Sequence, residues 1–262
     1  MTTLIDGTFN SRDTGGLPLA GGGRTRHGVL YRSDALSSAT DGGLDAIAAS
    51  TIGTIVDFRT ESERIDAPNR LPAARAFRVR ELSLLEGALT GAPQAGAPND
   101  DALDEEAMRA MLARIPTLPV LYTAMLENAA GAFAEVAREV VSPADPDRPG
   151  VLVHCTAGKD RTGVATALLL DAAGTERSAI VADYAASEQN LAGEWAERML
   201  ARARTWGVPL VPAITDLVTA TPPSAIEAAL AWLDDRGGSA SYLLRGGLTP
   251  VELDRLRERI AG

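Results

Sequence analysis

The stretch VLVHCTAGKDRTG at residues 151–163 places a short apolar strand, a tight loop and the start of a helix in direct succession. Residues 151–153 are aliphatic, and the apolar residues that follow Gly163 keep a helical spacing as far as a closing Gly174. Where a strand leads into a helix in this way, unpaired backbone N–H groups and the positive end of the helix dipole point to one place. The stretch therefore predicts a site that binds an anion.

Cys155 and Arg161 give this predicted anion site its chemistry. Five residues separate them, so a curled loop can bring the guanidinium beside the anion and the sulfur beneath it. A planar guanidinium holds two oxygens of one phosphate, and a helix N-terminus with nearby cations favours thiolate over thiol. The spacing predicts that Cys155 attacks a phosphate held by the loop amides and Arg161. The Thr162 hydroxyl is expected to donate to the thiolate, and His154 to fix the shape of the loop.

Two other interpretations of this stretch compete with the first. A lone cysteine is most often a small buried hydrophobic residue, but this one stands in register with a strand, a glycine, an arginine and a helix. Gly158 and Lys159 also look like the end of a nucleotide-binding P-loop, which requires Ser or Thr next and Gly five positions before Gly158. This chain has Asp160 and Val153 at those positions, so the nucleotide-binding interpretation is weak.

The composition argues against several classes of partner. The chain has 262 residues, 25 basic and 35 acidic side chains, a net charge of −10 and only 4% aromatic residues. Nucleic acid and anionic membrane surfaces are therefore not expected partners, and an anionic substrate needs a local positive site. The single cysteine permits no disulfide within the chain, no secretory signal is visible, and no apolar run reaches the length of a membrane span. A cytoplasmic location is expected, with export by another route left open.

The rest of the pattern indicates one α/β domain over residues 1–262, largely helical by residue count. Strands are predicted at 29–32, 54–59, 77–84 and 151–154, and helices at 41–50, 102–114, 117–141, 163–173, 176–183, 186–205, 222–235 and 250–260. Residues 86–101 are rich in Pro, Gly and small side chains and are predicted to be a mobile loop. Residues 86–130 are a candidate lid. Core packing is the default explanation for their apolar stripe, Met108, Met111, Leu112, Leu121, Met125 and Leu126.

The pattern His-Cys-x-x-Gly-Lys-x-Arg-Thr-Gly resembles the signature loop of the protein tyrosine phosphatase superfamily. Its Lys-Asp-Arg form is similar to a bacterial branch of atypical tyrosine and dual-specificity phosphatases, some of which also hydrolyse phosphoinositides. The similarity covers nearly the whole chain. Residues 10–16 (NSRDTGG), 30–33 (LYRS), 56–59 (VDFR, with Phe58 in place of Leu) and 183–187 (DYAAS) also match that branch. The resemblance implies a cysteine-phosphatase fold, with a small, mostly parallel sheet flanked by many helices.

The same resemblance implies a two-step reaction that uses no metal or other cofactor. Cys155 forms a cysteinyl-phosphate while the loop amides and Arg161 stabilise the equatorial oxygens, and water then releases phosphate. Residues 105–144 contain no Asp, so Asp160 is the better candidate for the general acid. The alternative is that Asp160 only pairs with Lys159 or another base. Arg59 is expected to reach the phosphate and Asp57 to brace the loop, unless the two form only a structural ion pair.

The predicted phosphate-binding residues are Thr156, Ala157, Gly158, Lys159, Arg161, Thr162 and Arg59. Lys159 is also expected to touch the leaving group or a second phosphate, which suits inositol lipids; a solvated lysine is the alternative. The expected substrate is a phosphotyrosine protein, with phosphoserine, phosphothreonine or a phosphoinositide as alternatives. Other hypotheses are a catalytically silent phosphate-binding module, an inositol polyphosphatase and an arsenate reductase. Arsenate reduction needs further thiols, and this chain has only one.

Overall fold

A computed structural model describes residues 3–84, 116–205 and 210–262, and these residues contain one five-stranded sheet. The strands are β1 (Arg12–Asp13), β2 (Leu30–Ser33), β3 (Ile52–Asp57), β4 (Arg78–Glu81) and β5 (Gly150–His154). Their order is β1-β2-β5-β3-β4, and only the pairing of β1 with β2 is antiparallel. The expectation of a small, mostly parallel sheet is confirmed.

Eleven α-helices surround the sheet in the described part of the chain. They are α1 (Asp41–Ala49), α2 (Glu61–Asp66), α3 (Leu118–Asn128), α4 (Ala130–Val141), α5 (Arg161–Ala172), α6 (Arg177–Leu191), α7 (Glu194–Thr205), α8 (Pro212–Thr219), α9 (Pro223–Asp234), α10 (Gly238–Arg245) and α11 (Pro250–Ile260). Two segments predicted as single helices are each divided. The break in 117–141 falls at Ala129, and the break in 186–205 falls at Gly193, which has a left-handed φ of +77°. None of the described helices is long and apolar enough to cross a membrane.

The central strand β5 is buried along its whole length because both faces of the sheet are covered. The larger core lies between one face and helices that include α3, α4, α5 and α9, and a smaller core packs Leu152 and Ile55 on the other face with Ile47 of α1. A strand buried on both faces is a continuous apolar run in the sequence, which explains why the pattern at 151–154 predicted this strand. The parallel register places Ser33, Asp57 and His154 side by side at the carboxyl ends of their strands.

Helix α3 shows where the described part of the candidate lid lies. Leu121, Met125 and Leu126 are buried in the larger core, as core packing predicts. The rest of the apolar stripe (Met108, Met111 and Leu112) and the predicted loop at 86–101 lie outside the described residues. A lid in that segment stays a prediction.

A buried ion-pair cluster joins the N-terminal strands to α6. Asp183 accepts hydrogen bonds from Arg12 Nε at 2.7 Å and from Arg32 Nη1 at 2.5 Å. Ser187, one turn later on α6, lies within hydrogen-bond distance of both guanidinium groups. Burial alone would raise the pKa of Asp183, but the two arginines hold it below its usual value. The carboxylate is therefore the counter-ion of two cations, Arg32 with a side chain that is 1% exposed and Arg12 with one that is 12% exposed.

We expect Asp183→Asn to unfold much more easily than the wild type. The change keeps the size of the side chain but leaves two buried guanidinium groups without a counter-ion, and removing one partner of a buried pair costs about 3–5 kcal/mol. The free energy of unfolding in urea measures this loss. Asp234→Asn is the matched control, because Asp234 pairs with Arg177 at the surface and such pairs contribute about 0–1 kcal/mol. Equal losses in the two variants would contradict this account.

Candidate active site

The loop between β5 and α5 turns sharply at Gly158, which has a φ of +67°. A Cβ at this position would lie 2.3 Å from the carbonyl oxygen of Ser33, so both the backbone conformation and the close contact require glycine. Arg32 Nη2 donates to Gly158 O at 2.7 Å, and Asn10 Nδ2 donates to Ala157 O and Gly158 O at 3.1 and 3.0 Å. These donors hold the loop carbonyls. The Gly158 N–H itself points to Cys155 Sγ at 3.2 Å.

Arg161, at the start of α5, is held in place by Glu63 of α2. Its Nη1 and Nη2 donate to the two carboxylate oxygens at 2.6 and 2.7 Å, and Nη1 also donates to Phe58 O at 3.2 Å. Burial would raise the pKa of Glu63, but its bonds to Arg161 and Thr156 lower it to about 2, so the carboxylate is ionised at neutral pH. Arg161 Nε has no partner among the described residues. Nη2 also donates to Thr156 Oγ1 at 3.4 Å, so within the side edge of the guanidinium only Nε is without a partner among the described residues and available to a ligand.

A cavity of about 530 Å³ lies over this loop. Cys155, Asp160 and Arg161 all line it, although Cys155 is only 1% exposed. Its apolar wall is formed by Phe9, Trp195, Met199, Leu217 and Val218, which come from the N-terminal segment, α7 and α8. The guanidinium of Arg198 stacks over the Phe9 ring, 4.8 Å from its centre. The predicted nucleophile thus shares a space with a guanidinium, a carboxyl group and an apolar surface.

Asp160 immediately precedes α5, and its side chain is 22% exposed. Its Oδ1 accepts a hydrogen bond from Tyr122 Oη at 2.7 Å and lies 3.3 Å from Lys159 Nζ. The ion pair with Lys159, which was the alternative role predicted for Asp160, is therefore present. Because Asp160 also lines the cavity, the pairing does not remove it from the place where a general acid is needed. The general-acid role stays a prediction.

Lys159 is not solvated, because its side chain is only 2% exposed. Its Nζ donates to Leu217 O at 2.8 Å and to Ala220 O at 3.1 Å, at the end of α8. The last carbonyls of a helix have no partner within the helix, and a lysine ammonium satisfies them well. Lys159 thereby ties the loop to the helix that carries Leu217 and Val218 of the cavity wall.

Asp57 and Arg59 form the buried ion pair that the sequence left as an alternative. Arg59 Nη2 lies 2.8 Å from Asp57 Oδ2, and the same guanidinium donates to Ala67 O and to Asn69 Oδ1. Asp57 Oδ2 also lies 3.5 Å from His154 Nε2, while His154 Nδ1 lies 3.3 Å from Cys155 O. Arg59 lines the cavity, yet its donors are directed to protein groups. Phosphate binding by Arg59 stays a prediction.

The structure adds residues that the sequence did not single out and leaves one predicted bond unformed. The hydroxyl of Thr162 is buried without a hydrogen-bond partner among the described residues, so its expected bond to the thiolate is not seen. Glu63 was visible only as the third residue of a capping box that begins at Thr60, a pattern that indicates a helix start and no chemistry. Tyr122 gave no signal beyond the apolar face of its helix. Within the described residues, no cluster of three or more His, Cys, Asp or Glu is placed to hold a metal ion.

Comparison with known proteins gives a consistent result. The family model described as "Tyrosine phosphatase family" matches residues 3–262. The chain is 32% identical to a "putative tyrosine-protein phosphatase" of Cupriavidus necator, over 97% of this chain and 86% of that protein. It is 30% identical to a tyrosine-protein phosphatase of Nostoc commune, over 63% of this chain and 50% of that protein. It is 28% identical to the triple specificity protein phosphatase PtpB of Mycobacterium tuberculosis, over 98% of each chain.

We expect the buried ring of His154 to make the protein less stable as the pH falls from about 6.5 to about 4. Burial lowers the pKa of His154 to about 4, so the unfolded chain binds a proton in this range that the folded chain does not. The loss amounts to about 3 kcal/mol across the range. Urea unfolding of the wild type and of His154→Gln at several pH values measures it, and the variant should show a flatter dependence. His27→Gln is the control, because the side chain of His27 is 74% exposed; an equal flattening in this variant would contradict the prediction.

Proposed function

Since the chain belongs to the tyrosine phosphatase family, we propose that it hydrolyses phosphomonoesters through a cysteinyl-phosphate on Cys155 and that its main substrates are phosphotyrosine proteins. One observation carries the proposal. The sulfur of Cys155, the guanidinium of Arg161 and the carboxyl group of Asp160 line one cavity at the start of α5.

The first step transfers the phosphoryl group to sulfur. The Cys155 thiolate attacks phosphorus, an S–P bond forms, and the P–O bond to the leaving group breaks. The loop amides, the dipole of α5 and the guanidinium of Arg161, whose Nε has no partner among the described residues, stabilise the charge on the equatorial oxygens. Asp160 gives its proton to the departing oxygen. Because Glu63 and Arg32 hold Arg161 and the loop beforehand, little reorganisation is needed when the substrate arrives.

The second step releases phosphate. Asp160, now a carboxylate, takes a proton from a water molecule whose oxygen attacks phosphorus. The S–P bond breaks and the thiolate of Cys155 is restored. The products are the dephosphorylated alcohol or phenol and inorganic phosphate, and the enzyme returns to its starting protonation state.

The shape of the cavity favours an aryl phosphate. A volume of about 530 Å³ is much more than one phosphate group needs, and the wall beside the loop carries the rings of Phe9 and Trp195 and the side chain of Met199. Such a wall suits the phenyl ring of phosphotyrosine. Lys159, the candidate for a second phosphate, donates instead to carbonyls of α8, which argues against that role for Lys159. One relative is named for triple specificity, so phosphoserine and phosphoinositide substrates belong in the test. A cytoplasmic location stays a prediction.

We expect Cys155→Ser to abolish phosphate release from every substrate. The hydroxyl of serine is far less ionised than a thiol at neutral pH, so the attacking group is lost, and a fall of about 10³-fold or more is expected. The measurement is phosphate release from phosphotyrosine, phosphoserine and phosphoinositide substrates, with hydrolysis of phosphotyrosine fastest. Binding of vanadate by the variant serves as the folding control. Activity that survives the substitution would refute the covalent mechanism.

We expect Asp160→Asn to slow esters of poor leaving groups more than esters of good ones. A leaving group that departs as a strongly basic alkoxide or phenoxide needs a proton, whereas the anion of a strongly acidic phenol does not. General acids contribute about 10²–10⁴-fold to the rate. A series of aryl phosphates with graded leaving groups measures the effect on kcat/KM, which reports the first step and not the release of phosphate from Cys155. Asp171→Asn, a change on the same helix but outside the cavity, controls for general effects on folding. An equal loss for all leaving groups in Asp160→Asn would assign the proton transfer to another residue.

A further inference from the structure

A chain of three side chains leads from the helical core to the cavity. Tyr122 Oη lies 2.7 Å from Asp160 Oδ1 and 2.7 Å from Tyr184 Oη. Tyr122 stands in the middle of α3 and is fully buried, and Tyr184 stands on α6 and is 1% exposed. We propose that Tyr122 is a positioning residue for Asp160, selecting which of its two oxygens carries the transferred proton. This inference rests on the general-acid role proposed for Asp160.

The direction of the hydrogen bonds follows from the number of protons available. A phenol has one O–H, and an ionised carboxylate can only accept. The proton of Tyr122 therefore goes to Asp160, and the bond between the two phenols must be donated by Tyr184. Burial, followed by the charge of Asp160, raises the pKa of Tyr122, and burial likewise raises that of Tyr184, so both groups keep their protons at neutral pH.

The two oxygens of Asp160 stand in different surroundings. Oδ1 receives the Tyr122 hydroxyl and lies near Lys159 Nζ, whereas Oδ2 has no partner among the described residues. The proton of the acid form therefore sits on Oδ2. In the first step the Oδ2–H bond breaks and the proton passes to the ester oxygen as the P–O bond breaks. The negative charge left on the carboxylate is stabilised at Oδ1 by the bond that Tyr122 already makes.

The fold holds Tyr122 and Tyr184 in this arrangement. Their rings meet edge to face, with centres 6.0 Å apart and planes at 85°. Gly163, on the first turn of α5, allows Tyr184 to approach, since a Cβ there would lie 3.0 Å from the Tyr184 ring. The last glycine of the loop pattern at 154–163 thus serves the packing of a residue that supports Asp160.

Several charged or titratable groups face Asp160 from the elements around it. They are Lys159, Arg161, Cys155, Tyr122 and Tyr184. Tyr122 is the one among them that donates to Asp160 a hydrogen bond shorter than 3 Å. Loss of that donor disfavours the carboxylate form. The basic limb of the pH profile of kcat/KM should then move to higher pH, because the protonated acid needed in the first step survives longer.

The test compares Tyr122→Phe with the wild type on aryl phosphates of graded leaving groups. For poor leaving groups kcat/KM, which reports the first step, should fall about tenfold, the size expected for one hydrogen bond to a charged group. For the best leaving groups kcat/KM should stay within about twofold, since their departure needs no proton. The basic limb of the pH profile should move upward by about one pH unit. Adding Tyr122→Phe to Asp160→Asn should cause no further loss of kcat/KM with poor leaving groups.

Tyr242→Phe is the matched control, because it removes another buried tyrosine hydroxyl, one that donates to Leu126 O of the same helix α3 at 2.6 Å. It should leave the leaving-group dependence and the pH profile as in the wild type. Equal losses in both tyrosine variants for all leaving groups, with no pH shift, would overturn the inference and leave the role of Asp160 intact. If Asp160→Asn itself shows no dependence on the leaving group, the inference falls with the general-acid role, and the Cys155 mechanism stands on its own test.

Discussion

The predicted anion site depends on the way the carbonyl oxygens at 157–158 are held. Arg32 and Asn10 bind these oxygens from the N-terminal side of the molecule. A peptide unit has its C=O and N–H on opposite sides, so with the Ala157 carbonyl tied to Asn10 the Gly158 N–H is directed to Cys155 Sγ. Arg32 can fill this position only because Asp183 neutralises it in the interior. A surface loop without such donors would have to give up conformational entropy each time an anion bound.

The same requirement for paired charge recurs throughout the site. Arg161 is held by Glu63, Arg59 by Asp57, and Lys159 by the final carbonyls of α8. Burying an unpaired cation costs several kcal/mol, so each cation at the site comes with a counter-ion or a set of acceptors. The acceptor also determines which N–H donors of the cation remain free to bind a ligand. Glu63 takes the end of the Arg161 guanidinium and leaves Nε without a partner among the described residues, whereas the donors of Arg59 are used within the protein.

Lys159 and Asp160 show how two neighbouring residues connect the loop to different parts of the body. Lys159 reaches α8, whose apolar residues form one wall of the cavity. Asp160 reaches Tyr122 on α3, which belongs to the larger core. The loop predicted to bind phosphate is thus joined to the apolar wall of the cavity and to the helical core. The precision of such a site comes from the rigid elements behind it.

The sequence by itself determined the loop, its flanking strand and helix, and the central sheet. These features are local, because the strand, the turn at Gly158 and the helix start follow one another within 13 residues. The spacing of the residues in this stretch is also what predicts the chemistry. The pairing of Asp57 with Arg59 is local as well, although its function was left open.

Only the tertiary structure decided which residues stand behind the loop. Glu63 and Tyr122 reach it from helices more than 30 residues away in the chain, and Asp183 acts through Arg32. Local pattern carries no information on such partners, because their helical positions are explained equally well by capping or by core packing. These side chains reach the site only because the helices that carry them pack on the sheet beside the loop.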